Sequence, residues 1–301
     1  MITIQELFLK GKSLLNDSPQ PALEAKILLL KCCSIEEEEF LSSPDRKVTR
    51  KEERDFYKLT SKRLAGFPLA YLSGTKEFWS FPFRVSSGVL IPRPETELIM
   101  EKVLELRSRN EPMGLINQAP ANQSPTDQAP SPETIVDIGT GCGNIAVSLA
   151  KELPRARVFA TDNSRKALTV ARLNSSLLET DNVTFAGGSL FSPLERLKLE
   201  KKCEFIVSNP PYVSEREWVE LAEEIRNHEP KKALVPGETG LEVIKDLIKG
   251  SPRFLKPGGY LVFEIGEGQK KRVLSLFNSN WGKVSCFNDL NGVPRVVVAR
   301  K

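Results

Sequence analysis

The spacing of apolar positions changes along this chain, and the changes divide it. Ile4, Leu7, Phe8, Gly11, Leu14 and Leu15 fall on one helical stripe. A second helix is predicted over residues 21–33, with Pro21 in its first turn and Ala25, Leu28, Leu29 and Cys32 on one face. Thr49 and Glu52 have capping-box spacing and open a third helix that reaches about residue 65. The acidic run 36–39 reads as a solvated face rather than a cation site. The texture then shifts. Glu77-Phe78-Trp79-Ser80-Phe81-Pro82-Phe83-Arg84-Val85 predicts a β-hairpin.

Further on, short β-rich runs at 135–138, 158–161, 183–186, 205–208, 260–264, 284–287 and 296–299 are separated by helical stretches. Those stretches cover 144–153, 164–178, 215–225, 241–255 and 269–277. Strands alternating with helices predict an α/β fold with a mostly parallel, doubly wound sheet. Residues 288–294 leave no room for a helix, so the last two strands should pair antiparallel at one side, completing seven.

Between the two textures, residues 111–132 hold five prolines and no Lys, Arg or aromatic residue. So little apolar surface cannot offset the entropy of ordering, and the segment reads as a flexible insertion. The expected organisation is a helical domain over 1–75, a hairpin connector and interdomain helix over 76–110, the insertion over 111–132, and an α/β domain over 133–301.

Composition narrows the chemistry. Five cysteines, odd in number and without a C-x-x-C pair, exclude a disulfide scaffold and a zinc-finger spacing. A single histidine, His228, disfavours a His-based metal centre, and no metal site is expected. No apolar run approaches a bilayer span and the N-terminus shows no secretory signal, so a cytoplasmic protein with no membrane partner is expected. The net charge of +4 permits a nucleic-acid partner without supplying the basic stripe of a dedicated binder.

The first strand after the insertion runs into Asp137-Ile138-Gly139-Thr140-Gly141-Cys142-Gly143. Small residues let such a turn approach a ligand closely and open the next helix toward it. The spacing is G-x-G-x-G, and Asn144 stands where a dinucleotide fingerprint has Gly or Ala, which points away from hydride transfer. Asp162 ends the second strand 19 residues after Gly143, where an acid suits ribose hydroxyls; capping the next helix is its competing role. No P-loop lysine follows Gly143, so the cofactor need not be anionic. The cationic sulfonium of S-adenosylmethionine is compatible with Asp137.

The fourth strand ends in Ser208-Asn209-Pro210-Pro211-Tyr212. Prolines fix the backbone and remove N–H groups, Asn209 offers an amide oxygen, and Tyr212 a flat wall. Two acceptors beside a flat wall suit a planar NH2 group. Such a nitrogen is a poor nucleophile, and holding both its hydrogens would aim it at a methyl donor. No strong base is needed, which agrees with a chain holding one histidine.

These motifs, with Leu90-Ile91-Pro92-Arg93-Pro94-Glu95-Thr96-Glu97, Gly66-Phe67-Pro68-Leu69-Ala70-Tyr71, Lys256-Pro257-Gly258-Gly259 and the ending Asp289-Leu290-Asn291-Gly292-Val293-Pro294-Arg295, give the chain a resemblance. It resembles the HemK/PrmC-type N(5)-glutamine methyltransferases, in particular those that act on peptide chain release factors. The resemblance covers nearly the whole chain apart from 111–132. It implies a Rossmann-like S-adenosylmethionine-dependent methyltransferase domain behind a helical domain that recognises the release factor. The implied substrate is the glutamine side chain of a Gly-Gly-Gln motif; separately, a monomer that requires no nucleic acid is expected. Asn209 and Pro210 would hold the amide, Pro211 would complete the catalytic and substrate-binding turn, Tyr212 would flank the amide, and Arg93 and Glu97 would close the substrate-side wall. Asp137, Gly139, Thr140, Gly141, Cys142, Gly143, Asp162 and Asn209 would bind the cofactor. Ser189 and Leu190 would lie near its adenine, where the family often has Asp in place of Ser189. Rival readings are glutamine methylation of a ribosomal protein, amino-group methylation of a nucleobase, and a non-catalytic protein that kept the fold.

Overall fold

A computed structural model describes residues 1–110 and 132–301, so the insertion expected over 111–132 lies, apart from Pro132, outside the described residues. The described chain divides into two compact units.

The smaller unit comprises Met1–Thr75, Val85–Ser87 and Leu221–Glu229. Its helices are α1 (Ile4–Leu14), α2 (Pro21–Cys33), α3 (Glu37–Ser42), α4 (Arg50–Leu64) and α5 (Leu69–Ser73). The predicted Thr49–Glu52 box caps α4, and Thr3 with Glu6 caps α1 in the same reciprocal way. The apolar stripes meet in a core that includes Ile4, Leu7, Leu28, Leu29 and Phe56. Glu36, Glu37, Glu38 and Glu39 are exposed, as their reading as a solvated face requires. On this unit Arg63 forks onto the buried Glu24 at 2.7 and 3.0 Å and reaches Glu224 at 2.6 Å. Phe67 stacks near His228, with ring centroids 4.1 Å apart.

The Arg63–Glu224 bond belongs to a stretch where the structure corrects an expectation. The single helix predicted over 215–225 is two, Glu215–Trp218 and Glu223–His228. Ala222 between them is extended (φ −53°, ψ 142°). Ser214 and Glu217 box the first piece, and the second belongs to the smaller unit.

The larger unit comprises Lys76–Arg84, Gly88–Glu220 and Pro230–Lys301. Strands β1 (Thr75–Phe78) and β2 (Phe81–Arg84) form the predicted hairpin, turning through Trp79 and Ser80 in left-handed conformation. After α6 (Glu97–Asn110) come β3 (Thr134–Ile138), α7 (Asn144–Glu152), β4 (Arg157–Asp162), α8 (Arg165–Leu177), β5 (Val183–Gly187) and α9 (Ser192–Arg196). They are followed by β6 (Cys203–Ser208), α10 (Glu215–Trp218), then, after α11 (Glu223–His228) of the smaller unit, α12 (Glu242–Phe254), β7 (Leu255–Glu264), α13 (Lys270–Leu274), β8 (Val284–Asn288) and β9 (Pro294–Arg300). Strand β7 starts five residues before its predicted bound, and α13 stops short of residue 277.

The seven strands lie in the order β5-β4-β3-β6-β7-β9-β8, with β9 antiparallel to both its neighbours. This is the Rossmann-like sheet expected. Every residue of β3 is buried, because the central strand of such a sheet is covered on both faces. The chain winds outward from β3 to β5 and then returns to place β6 on the other side of β3. That reversal is the point where open α/β sheets leave a crevice at the carboxyl ends of their strands. Among the described residues no helix is long and apolar enough to cross a membrane.

Candidate active site

Strands β3 and β6 pair in parallel with Asp137 opposite Val207, and the Ser208 hydroxyl donates to the Ile138 carbonyl at 2.7 Å. The loops that follow therefore leave the sheet side by side. On the other flank, the Thr161 carbonyl of β4 accepts the N–H groups of Gly139 and Thr140 at 2.8 and 2.9 Å. Gly139 and Gly141 are left-handed (φ +77° and +58°), and a Cβ added to either would meet nothing within 4 Å. Any side chain there would occupy open space in front of the loop. The glycines thus serve both the turn and the approach of a ligand to bare backbone.

That space is a cavity of about 950 Å³, of the size that small-molecule and cofactor sites occupy. It brings together Gly139, Thr140, Gly141, Cys142, Asp162, Ser189, Leu190, Asn209, Pro210, Pro211 and Arg93. Tyr212 borders an adjoining recess of about 20 Å³ that it shares with Leu90, Arg93, Asn209, Pro210 and Pro211. Asp137 and Gly143 lie outside the lining, and so does Glu97, whose Oε1 accepts the Trp79 N–H at 2.8 Å.

Asp162 does not cap α8. Ser164 does, accepting the Ala167 N–H at 3.2 Å. The Asp162 carboxylate instead accepts the Ser164 N–H at 2.7 Å and the Gly141 N–H at 2.9 Å. Burial pushes its pKa up, while the N–H groups of Ser164, Gly141 and Asn163 work against that. Asp137 has no exposed surface; its Oδ2 accepts the Thr140 hydroxyl at 2.6 Å and its Oδ1 has no hydrogen-bond partner. Burial lifts it to about 7, Thr140 opposing and the Asp162 charge adding. Cys142 is buried and its thiol is raised to about 12, so it stays protonated. A floor of glycine backbone, a carboxylate at the end of β4 and the Ser189 hydroxyl after β5 together fit a nucleoside cofactor.

On the other side of the crevice the side chains form a chain of hydrogen bonds. Asn209 Nδ2 donates to Thr96 Oγ1 at 2.9 Å, and the Thr96 hydroxyl donates to Glu264 Oε2 at 2.6 Å. The Tyr212 hydroxyl donates to Glu264 Oε1 at 2.8 Å. Burial, then the Glu264 charge and hydrogen bond, drive the Tyr212 phenol far above its ordinary value. Gln269 Nε2 holds the Tyr212 carbonyl at 2.8 Å while Gln269 Oε1 accepts the Gly266 N–H.

The Methyltransferase small domain family matches residues 125–238, and the PrmC N-terminal domain family matches residues 6–74. The release factor glutamine methyltransferase of Koribacter versatilis is 36% identical over 95% of this chain and 93% of its own length. That of Moorella thermoacetica is 39% identical over 85% of this chain and 82% of its own. That of Buchnera aphidicola is 33% identical over 100% and 99%. The chain belongs to the release factor glutamine methyltransferases.

In this member of the release factor glutamine methyltransferases, four residues of the site neighbourhood escaped the sequence reading. Thr96 lies inside the run 90–97 that carries the resemblance, yet only its charged neighbours were singled out. Glu264 ends β7 as Asp162 ends β4, and an acid closing an apolar strand was the available signal. Gln269 gave none. Asn174 is a polar residue on the buried face of α8; its Oδ1 accepts the Arg84 N–H at 2.7 Å and its Nδ2 donates to the Cys142 carbonyl at 2.8 Å. It ties the hairpin to the glycine loop.

Proposed function

We propose that the chain transfers the methyl group of S-adenosylmethionine to the side-chain amide nitrogen of the glutamine in the Gly-Gly-Gln motif of a peptide chain release factor. The observation that carries this reading is the placement of Asn209 and Pro210 in the wall of the cavity that the glycine loop also lines, in a chain of this family.

The residues divide the work by position. Gly139, Thr140, Gly141 and Cys142 would border the methionine part of the cofactor, Asp162 its ribose, and Ser189 with Leu190 its base. Bound there, S-adenosylmethionine supplies an electrophilic methyl group. Asn209 Oδ1 and the Pro210 carbonyl accept the two hydrogens of the substrate amide, which fixes the nitrogen and favours positive charge on it. Pro210 and Pro211 keep N–H donors out of that turn. The amide proton becomes acidic as the new bond forms, so positioning replaces a strong base. Tyr212 walls the recess, and Arg93 borders both the recess and the cavity. The helical unit contributes recognition of the release factor beyond its glutamine. The enzyme acts as a cytoplasmic monomer and needs no nucleic acid.

Incubation with labelled S-adenosylmethionine and release factor, ribosomal protein or DNA in parallel tests the reading. Label in the release factor is expected, and label only in DNA would overturn it.

A further inference from the structure

We propose that Thr96 and Glu264 are positioning residues for Asn209, fixing which end of its amide faces the cavity. The inference rests on the reading of Asn209 as acceptor of the substrate amide hydrogens and deepens it.

An asparagine amide can turn over, and only its oxygen can accept the hydrogens of another amide. What selects the end is the partner at its back. Thr96 has one hydroxyl hydrogen, and Glu264 Oε2 takes it at 2.6 Å. The Thr96 oxygen is then an acceptor only, and the group it accepts at 2.9 Å is Asn209 Nδ2. With the nitrogen bound behind, Oδ1 is left for the cavity that Asn209 lines. The direction of the chain therefore begins at Glu264. As a carboxylate it accepts from both sides, Thr96 at one oxygen and Tyr212 at the other. Burial pushes its pKa up and the Glu95 charge adds to that, while the hydrogen bonds from Thr96 and Tyr212 and the Arg295 charge favour the charged form. Thr96 and Glu264 are each 1% exposed, so the bond between them is shielded from water. A neutral amide in place of Glu264 has one acceptor and one donor end, so it must reverse one of the two hydroxyls. Reversal at Thr96 would turn the Asn209 oxygen inward.

The test compares wild type with Thr96→Val, Thr96→Ser and Glu264→Gln, using release factor as substrate. Thr96→Val keeps the shape and removes the hydrogen bonds; kcat is expected to fall about 10-fold or more, the loss of one buried hydrogen bond or greater. Cofactor affinity should stay within about twofold, and Thr96→Ser should restore most of kcat. Glu264→Gln should lower kcat to the extent that the Thr96 hydroxyl, rather than that of Tyr212, is the one reversed. An unchanged kcat in Thr96→Val overturns the proposal, and so does a fall in cofactor affinity that matches the fall in kcat. Failure of Thr96→Ser to recover beyond Thr96→Val overturns it as well. A second readout needs no turnover: in selectively ¹⁵N-labelled protein, an Asn209 side-chain amide proton should be protected from exchange in wild type and Thr96→Ser and exposed in Thr96→Val. Equal protection in all three overturns the proposal. If wild type leaves release factor unmethylated, the functional reading falls, and the exchange experiment still decides the role of Thr96.

Discussion

One carboxylate oxygen of Asp162 holds the backbone N–H of Gly141 at 2.9 Å, so the acid at the end of β4 shapes the glycine loop as well as facing the cavity. Asp162→Ala should therefore do two things. It should weaken S-adenosylmethionine binding about 10-fold or more, and it should cost about 1–3 kcal/mol of stability, because two backbone N–H groups lose a charged acceptor. Calorimetric titration and a thermal melt check both, and an unchanged cofactor affinity would contradict the ribose contact.

Gly141→Ala separates the loop's shape from its stability. A left-handed alanine costs about 1 kcal/mol, while its Cβ points into open space and meets no protein atom within 4 Å. Cofactor affinity should fall by more than that strain explains. A melt shifted with affinity intact would show that the cofactor does not approach this backbone.

On the proposed reading, Asn209→Ala removes the acceptor of the substrate amide hydrogens. It should lower kcat by about 10²- to 10³-fold and leave cofactor binding nearly intact. Single-turnover methylation beside a cofactor titration reads the two separately.

Asp137 should set part of the pH dependence of stability. Its folded pKa, about 7, stands above the ordinary 3.8, so between those values the folded state holds a proton that the unfolded state has released. Stability therefore declines as pH rises through that window, by at most about 1.4 kcal/mol per pH unit from this group. Asp137→Asn should flatten the slope in the cofactor-free protein between about pH 5 and 7. Denaturation at several pH values measures it, and parallel profiles for the two proteins would contradict the assignment.

Much of this site was legible because its motifs sit at strand ends. Once the alternation of strands and helices sets the sheet order, Gly139, Asp162, Ser189 and Asn209 must emerge from one edge. What escaped depends on contacts between residues far apart in sequence. Thr96 meets Asn209 across 113 positions and Glu264 across 168, and no local pattern announces such pairs. The resemblance implies a wall role for Glu97, yet its carboxylate accepts the backbone N–H of Trp79 in the hairpin. The helix expected over 215–225 broke for a similar reason. Its apolar and polar spacing is helical, but Glu224 is drawn to Arg63, 161 positions away.

The most direct test is mass spectrometry of release factor after reaction with this protein and S-adenosylmethionine. One added methyl group, on the glutamine of the Gly-Gly-Gln motif and absent with Asn209→Ala, is the expected result. An unmodified glutamine, or a methyl group on another residue, would contradict the assigned activity.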